Sequence, residues 1–306
     1  MLEKPNKFIY LHKFYVTIIT QIKIIMYNNN SNYRHLSLAL RLKILFGNTT
    51  AQSGWGILIL GQIFFILFVM QVDFSDFYLG KNSPKTQGKI TKINNTNTRI
   101  NKRNVYEFHY EYQDKNNVKL QGISYSTNKD LSINSLVNVE YLEKKTTYSR
   151  IENMQKKLFP MYIILLAVIS LIGIVISVIS ISRGLKNIRL LQIGVVTKGK
   201  FIKMEPTKVK VDNQFVQRLY FEFTDHFGKT QTTTADLLDT KKLQDEPEET
   251  IFYDAENPSK ALLIDGLPSN IKLLPDNTFE KGNILLGVVY LILPFFGLLS
   301  ILMAFV

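Results

Sequence analysis

Cysteine is absent from all 306 residues, which excludes disulfides, iron–sulfur clusters, thiolate zinc sites and thiol nucleophiles. Histidine is scarce: four, spread along the chain, leave little for a metal centre or a charge-relay triad. The third absence is local. Gly54–Val72, Phe159–Ser182 and Ile284–Val306 contain no Asp, Glu, Lys, Arg or His. At about 1.5 Å of rise per residue they reach roughly 28, 36 and 34 Å, against a hydrocarbon core of about 30 Å, which predicts three membrane spans. With no ionisable group inside them, they hold no proton relay, gating charge or usual ion ligand. Trp55 is expected at the interface, Pro160 in an opening turn and Pro294 at a kink. Gly56, Gly61, Gly173, Gly287 and Gly297 are expected to let helices approach closely.

Residues 1–34 form a dubious leader. Phe8–Met26 is apolar but interrupted by His12, Lys13, Gln21 and Lys23, and no small-residue cleavage site follows it. Met26 is the expected start. Residues 35–53 form a basic lead-in, in which HLSLALRLKILF predicts a short amphipathic helix with Arg34, Arg41 and Lys43 near lipid headgroups.

Between the spans (residues 54–72, 159–182 and 284–306) lie two polar segments, 73–158 and 183–282, which repeat each other. An offset of 111 residues aligns Gly88-Lys89-Ile90 with Gly199-Lys200-Phe201, and His109-Tyr110-Glu111-Tyr112 with Tyr220-Phe221-Glu222-Phe223. One residue of slippage later, Tyr141 meets Tyr253. Tyr106, Phe108, Tyr110 and Tyr112 alternate with polar residues, as do Leu219, Phe221 and Phe223, the period of half-buried strands. Asp114-Lys115-Asn116-Asn117 and Asp225-His226-Phe227-Gly228 supply hairpin-turn chemistry with a left-handed-tolerant residue fourth. Further strands are expected at 88–95, 118–125 and 137–142, and at 194–204, 229–235 and 249–253. The fold class is therefore three transmembrane helices with two small all-β modules, barrels or sandwiches. Cores so small are expected to dock on something larger.

The Gly194-Val195-Val196 opening, the Tyr220-Phe221-Glu222-Phe223-Thr224 strand and the closing Phe252-Tyr253-Asp254-Ala255-Glu256-Asn257-Pro258-Ser259-Lys260-Ala261 segment carry a resemblance. On them the chain resembles the bacterial multi-pass membrane proteins grouped as domain of unknown function 3592, over roughly residues 35–306. The resemblance implies an architecture and a bacterial inner-membrane address, and it carries no activity. The first copy departs at Tyr141-Leu142-Glu143-Lys144-Lys145-Thr146, which lacks the Asp and the Asn-Pro.

Glu107, His109 and Glu111 share one strand face, a spacing that a metal site uses, although a solvated mixed-charge face is commoner. Glu111 and Glu222 recur at equivalent places and are read as solvated strand residues rather than catalytic carboxylates. Asn257-Pro258-Ser259 reads as a turn, and Asp245-Glu246-Pro247-Glu248-Glu249 as a solvated acidic loop. After the second span, Leu185, Ile188 and Leu191 form an apolar stripe with Arg183, Lys186 and Arg189 off it. Those three bases are the candidate lipid-headgroup contacts, beside their role as a positive-inside anchor. The net charge of +12 lies in the lead-in and first module without a dense cluster, so nucleic acid is not an expected partner.

The chain therefore reads as a non-catalytic inner-membrane protein, without cofactor or metal, that presents two β-modules for binding or scaffolding. Its partners are the lipid bilayer and other proteins or further copies of itself. A membrane-surface enzyme or lipid-handling protein is the alternative, with an accessory transporter subunit behind it. One span between the modules places them on opposite faces. Arg41 and Lys43 precede the first span, and no basic residue follows it before Lys81, so the N-terminus and second module are expected inside.

Overall fold

A computed structural model describes residues 33–80, 82–211, 213–238, 247–267 and 271–304. The Phe8–Met26 stretch and the expected start at Met26 lie outside them. The chain divides into two compact units: residues up to Trp55 with Val175–Phe296, and Gly56–Ile174 with Gly297–Val306.

The helices are α1 (Leu38–Phe46), α2 (Thr49–Leu67), α3 (Ala167–Ile193), α4 (Ile284–Val289) and α5 (Ile292–Met303). Thr49–Gln71, Met161–Ile193 and Ile284–Met303 are long and apolar enough to cross a membrane. The first of these begins before Gly54, because Asn48 Oδ1 accepts the Ala51 N–H and caps the turn at 2.7 Å. The second continues past Ser182 to Ile193, since the amphipathic Arg183–Leu191 turn extends the same helix. The third breaks between α4 and α5. Pro294 has no N–H to give the Tyr290 carbonyl four residues back, and Gln52 Nε2 donates to that oxygen instead at 3.1 Å.

Within the second unit, Gly61 and Gly173 pack tightly between helices. A Cβ on Gly61 would lie 2.4 Å from the Ser170 nitrogen, and one on Gly173 would lie 2.4 Å from the Leu58 nitrogen. Gly56, by contrast, faces open space. Trp55 is enclosed by protein, with 7% exposure.

Strands β1 (Lys85–Ile100), β2 (Arg103–Gln113), β3 (Lys119–Ser126), β4 (Leu136–Leu142) and β5 (Lys145–Ile151) form one antiparallel sheet ordered β3-β2-β1-β4-β5. Its edges approach each other: Ser124 Oγ accepts the Ile151 N–H at 2.8 Å, and Tyr125 bridges to Gln155. The result is a nearly closed five-stranded barrel. The other sheet, ordered β10-β9-β6-β7-β8, comprises β6 (Val195–Val211), β7 (Gln214–Thr224), β8 (Thr230–Leu237), β9 (Glu249–Tyr253) and β10 (Ala261–Leu263).

The two ladders coincide at the 111-residue offset. Ile90 opposes Tyr110 and Phe201 opposes Phe221. Register shifts fall at Ile90/Lys92 and Asn95/Arg99 in one sheet, and at Phe201/Lys203 and Pro206/Lys210 in the other. The single slip is also present, since Lys85 opposes Glu140 while Val196 opposes Phe252. Phe108, Tyr110 and Tyr112 fill the first core, and Leu219, Phe221 and Phe223 the second. Gly88 and Gly199 stand where strands cross closely: a Cβ would lie 2.7 Å from Val139 Cγ2 and 2.2 Å from Ile251 Cδ1 respectively.

In the first unit, the outer side of β9 joins a larger core. Phe252 packs with Leu36, Leu40 and Ile44 around α1, Ile188 and Leu191 of α3, and Phe279. The small second module thus docks against helices of its own unit.

Candidate functional site

Ile188 and Leu191 are 1% and 0% exposed, so the α3 stripe is covered by protein rather than by lipid. Arg183, Lys186 and Arg189 project from the other face and are exposed. Arg34 and Arg41, expected near headgroups, both engage protein groups. Arg34 donates from Nη1 to the Leu191 and Gly194 carbonyls at 3.2 and 2.8 Å, and its guanidinium lies 5.1 Å from the Phe252 ring centre. It thereby caps the C-terminus of α3, where orphan carbonyls and the negative dipole end favour a cation. Arg41 is buried and donates from Nε to the Leu36 carbonyl at 3.0 Å. Burial lowers the pKa of both arginines from the ordinary guanidinium value.

The cap brings α3 against the loop after β9. Together they enclose a cleft of about 530 Å³. Lys186, Arg189 and Ile193 line it from the helix, and Asp254, Glu256 and Lys260 from the loop. The loop is held by its own backbone: Asp254 N–H donates to the Lys260 carbonyl at 3.0 Å, and Lys260 N–H to the Asn257 carbonyl at 2.9 Å. Asp254 Oδ1 accepts the Glu256 N–H at 3.0 Å, and its Oδ2 lies 4.0 Å from Lys260 Nζ. Asn257-Pro258-Ser259 is accordingly a turn. Among the described residues, Lys186, Arg189 and Glu256 have no ion-pair partner. Beside the Asp254–Lys260 pair, the cleft thus carries two cations on the helix and one carboxylate on the loop.

The remaining candidates sit elsewhere. Glu107 and His109 touch each other, whereas Glu111 accepts from Gln121 Nε2 at 3.0 Å, so the three do not converge. Burial pushes the Glu107 carboxyl up, but hydrogen bonds from Asn94, His109 and Tyr125 hold it below the usual carboxylate value. Glu111 and Glu222 lie exposed on outer strand faces. The residues that recur beside them do structural work. Asp114 Oδ1 accepts the Asn116 and Val118 N–H groups at 2.9 and 3.0 Å, and Asp225 Oδ1 accepts those of Phe227 and Lys229 at 2.9 and 2.9 Å. Asn117 and Gly228 close those turns with φ of 57° and 77°. The acidic run does not stay solvated at its end: Glu249 lies on β9 and is 2% exposed.

A buried polar network in the second unit was not apparent from sequence. Arg150 on β5 donates to Glu140 Oε2 at 3.2 Å and to Ser75 Oγ at 2.9 Å, and it pairs with Asp76. Asp73 in turn accepts the Ser75 and Lys156 N–H groups, both at 2.8 Å. The network fastens the segment after α2 to the first barrel.

Comparison with protein-family models, with curated proteins and with solved structures finds no match.

Proposed function

We propose that this chain is a multi-pass protein of the bacterial inner membrane that presents two duplicated β-modules for binding or scaffolding and catalyses no reaction. It is read as a double-module relative of the proteins grouped as domain of unknown function 3592. One observation carries the reading: the residues shared by both modules maintain turns and strand crossings. Gly88 and Gly199 permit close packing, and Asp114 and Asp225 close hairpins. The shared carboxylates Glu111 and Glu222 stand exposed on outer faces, and among the described residues no three His, Asp or Glu side chains converge. General acid–base work needs such convergence.

The test is a Glu111→Ala/Glu222→Ala double variant expressed from its own locus. Any cellular phenotype of the deletion should be complemented fully at normal protein level. Failure to complement, with the protein present and membrane-bound, would favour an enzyme at the bilayer surface.

A further inference from the structure

We propose that the cleft between α3 and the Asp254–Lys260 loop takes the headgroup of a bilayer phospholipid that carries both a phosphate and a primary amine. The inference rests on the membrane reading and assigns the lipid to it. Its first support is position. Ser182 is the last residue of the uncharged run, and at about 1.5 Å per residue Lys186 and Arg189 stand roughly 6 and 10 Å beyond it. The polar layer on each side of a bilayer is about 5–8 Å deep, so Lys186 falls within the headgroup layer and Arg189 just beyond it, its long side chain able to reach back.

Charge supplies the second support. Asp254 is occupied by the Glu256 N–H and by Lys260. That leaves Lys186 and Arg189 on one wall and Glu256 on the other. A phosphate fits the paired cations, with Arg189 able to bond two oxygens. An ammonium fits the carboxylate opposite. A purely anionic headgroup would leave Glu256 facing like charge, and a trimethylated amine could give it no hydrogen bond. Phosphoethanolamine chemistry satisfies both walls. The third support is the backbone: the loop's own hydrogen bonds, with the Glu256 N–H on Asp254, set where Glu256 leaves the chain, and Arg34 holds the end of α3.

The full-length protein would be reconstituted into vesicles of equal phosphatidylethanolamine, phosphatidylcholine and phosphatidylglycerol, re-extracted in mild detergent, and its retained lipid measured by mass spectrometry. The wild type should retain phosphatidylethanolamine above its share. Lys186→Gln/Arg189→Gln should lose it, each basic contact contributing about fivefold in occupancy. Glu256→Gln should keep bound lipid but lose the preference for the amine. A thermal unfolding curve for each variant separates lost binding from lost folding. An identical lipid profile in the wild type and the double Gln variant overturns the proposal. A preference for phosphatidylglycerol that Glu256→Gln leaves unchanged overturns the amine assignment. Binding of free phosphoethanolamine with no retained lipid overturns the bilayer source. If the chain leaves the membrane fraction on alkaline washing, the membrane reading fails instead, and that outcome is distinct from a membrane-bound chain without lipid preference.

Discussion

Asp225 shows at the scale of one residue how a repeated acid serves folding rather than chemistry. Burial pushes its carboxyl up, but the N–H groups of Lys229 and Phe227 and the Gln231 amide hold it below the ordinary aspartate value. A carboxyl with a depressed folded-state pKa stabilises the fold above its unfolded pKa, and that contribution is lost as pH falls through the folded value. Asp225→Asn should therefore be less stable than the wild type at pH 7, with the gap closing below about pH 4. Unfolding midpoints of the full chain from pH 7 to pH 3 test this, and a gap independent of pH would refute it. The role was legible in the sequence, because Asp followed three residues later by Asn or Gly is turn chemistry whatever surrounds it. Arg150 was not. Its burial depends on Asp76 and Glu140, and nothing local in Tyr148-Ser149-Arg150 predicts that those carboxylates arrive.

Among the elements, the aromatic hairpins were readable because one alternating face fills a core. The long arms were not. Asn94-Asn95-Thr96-Asn97-Thr98 in β1 has no apolar period, yet β1 continues to Ile100 because the turn at Asn101 and Lys102, with φ of 50° and 67°, keeps β2 in register. Strands β5 and β10 also escaped, since each is short and is fixed by its neighbour. Of the candidate cleft, Lys186 and Arg189 were visible as bases off an apolar stripe. Glu256 and Lys260 reach them only through the tertiary path of β9. The end of α3 makes the sharpest element-level prediction. Arg34→Ala should remove two carbonyl caps and a ring contact, and lower stability by about 1–3 kcal/mol. Arg34→Lys should restore little, because an ammonium cannot cap both oxygens while stacking on Phe252. Thermal melts of both variants in detergent decide it; an unchanged midpoint for Arg34→Ala would contradict the capping role.

For the whole molecule, the order of segments along the chain makes the clearest demand. One apolar helix separates the two repeats, so a single membrane crossing by that helix would send them to opposite compartments. With no native cysteine, Asn116→Cys and Asn213→Cys report on each module separately. A membrane-impermeant thiol reagent on intact cells should label Asn116→Cys alone; labelling of Asn213→Cys alone would invert the orientation, and labelling of both would mean that the helix between them does not cross. The joint between α3 and β6 carries a mechanical consequence. Gly194 alone separates them; its N–H donates to the Leu190 carbonyl at 2.8 Å, and a Cβ there would lie 2.4 Å from that oxygen. Such a joint has no slack. A tilt of α3 would therefore be passed directly to β6, and the 17-residue strand would carry it to its far end as a larger displacement.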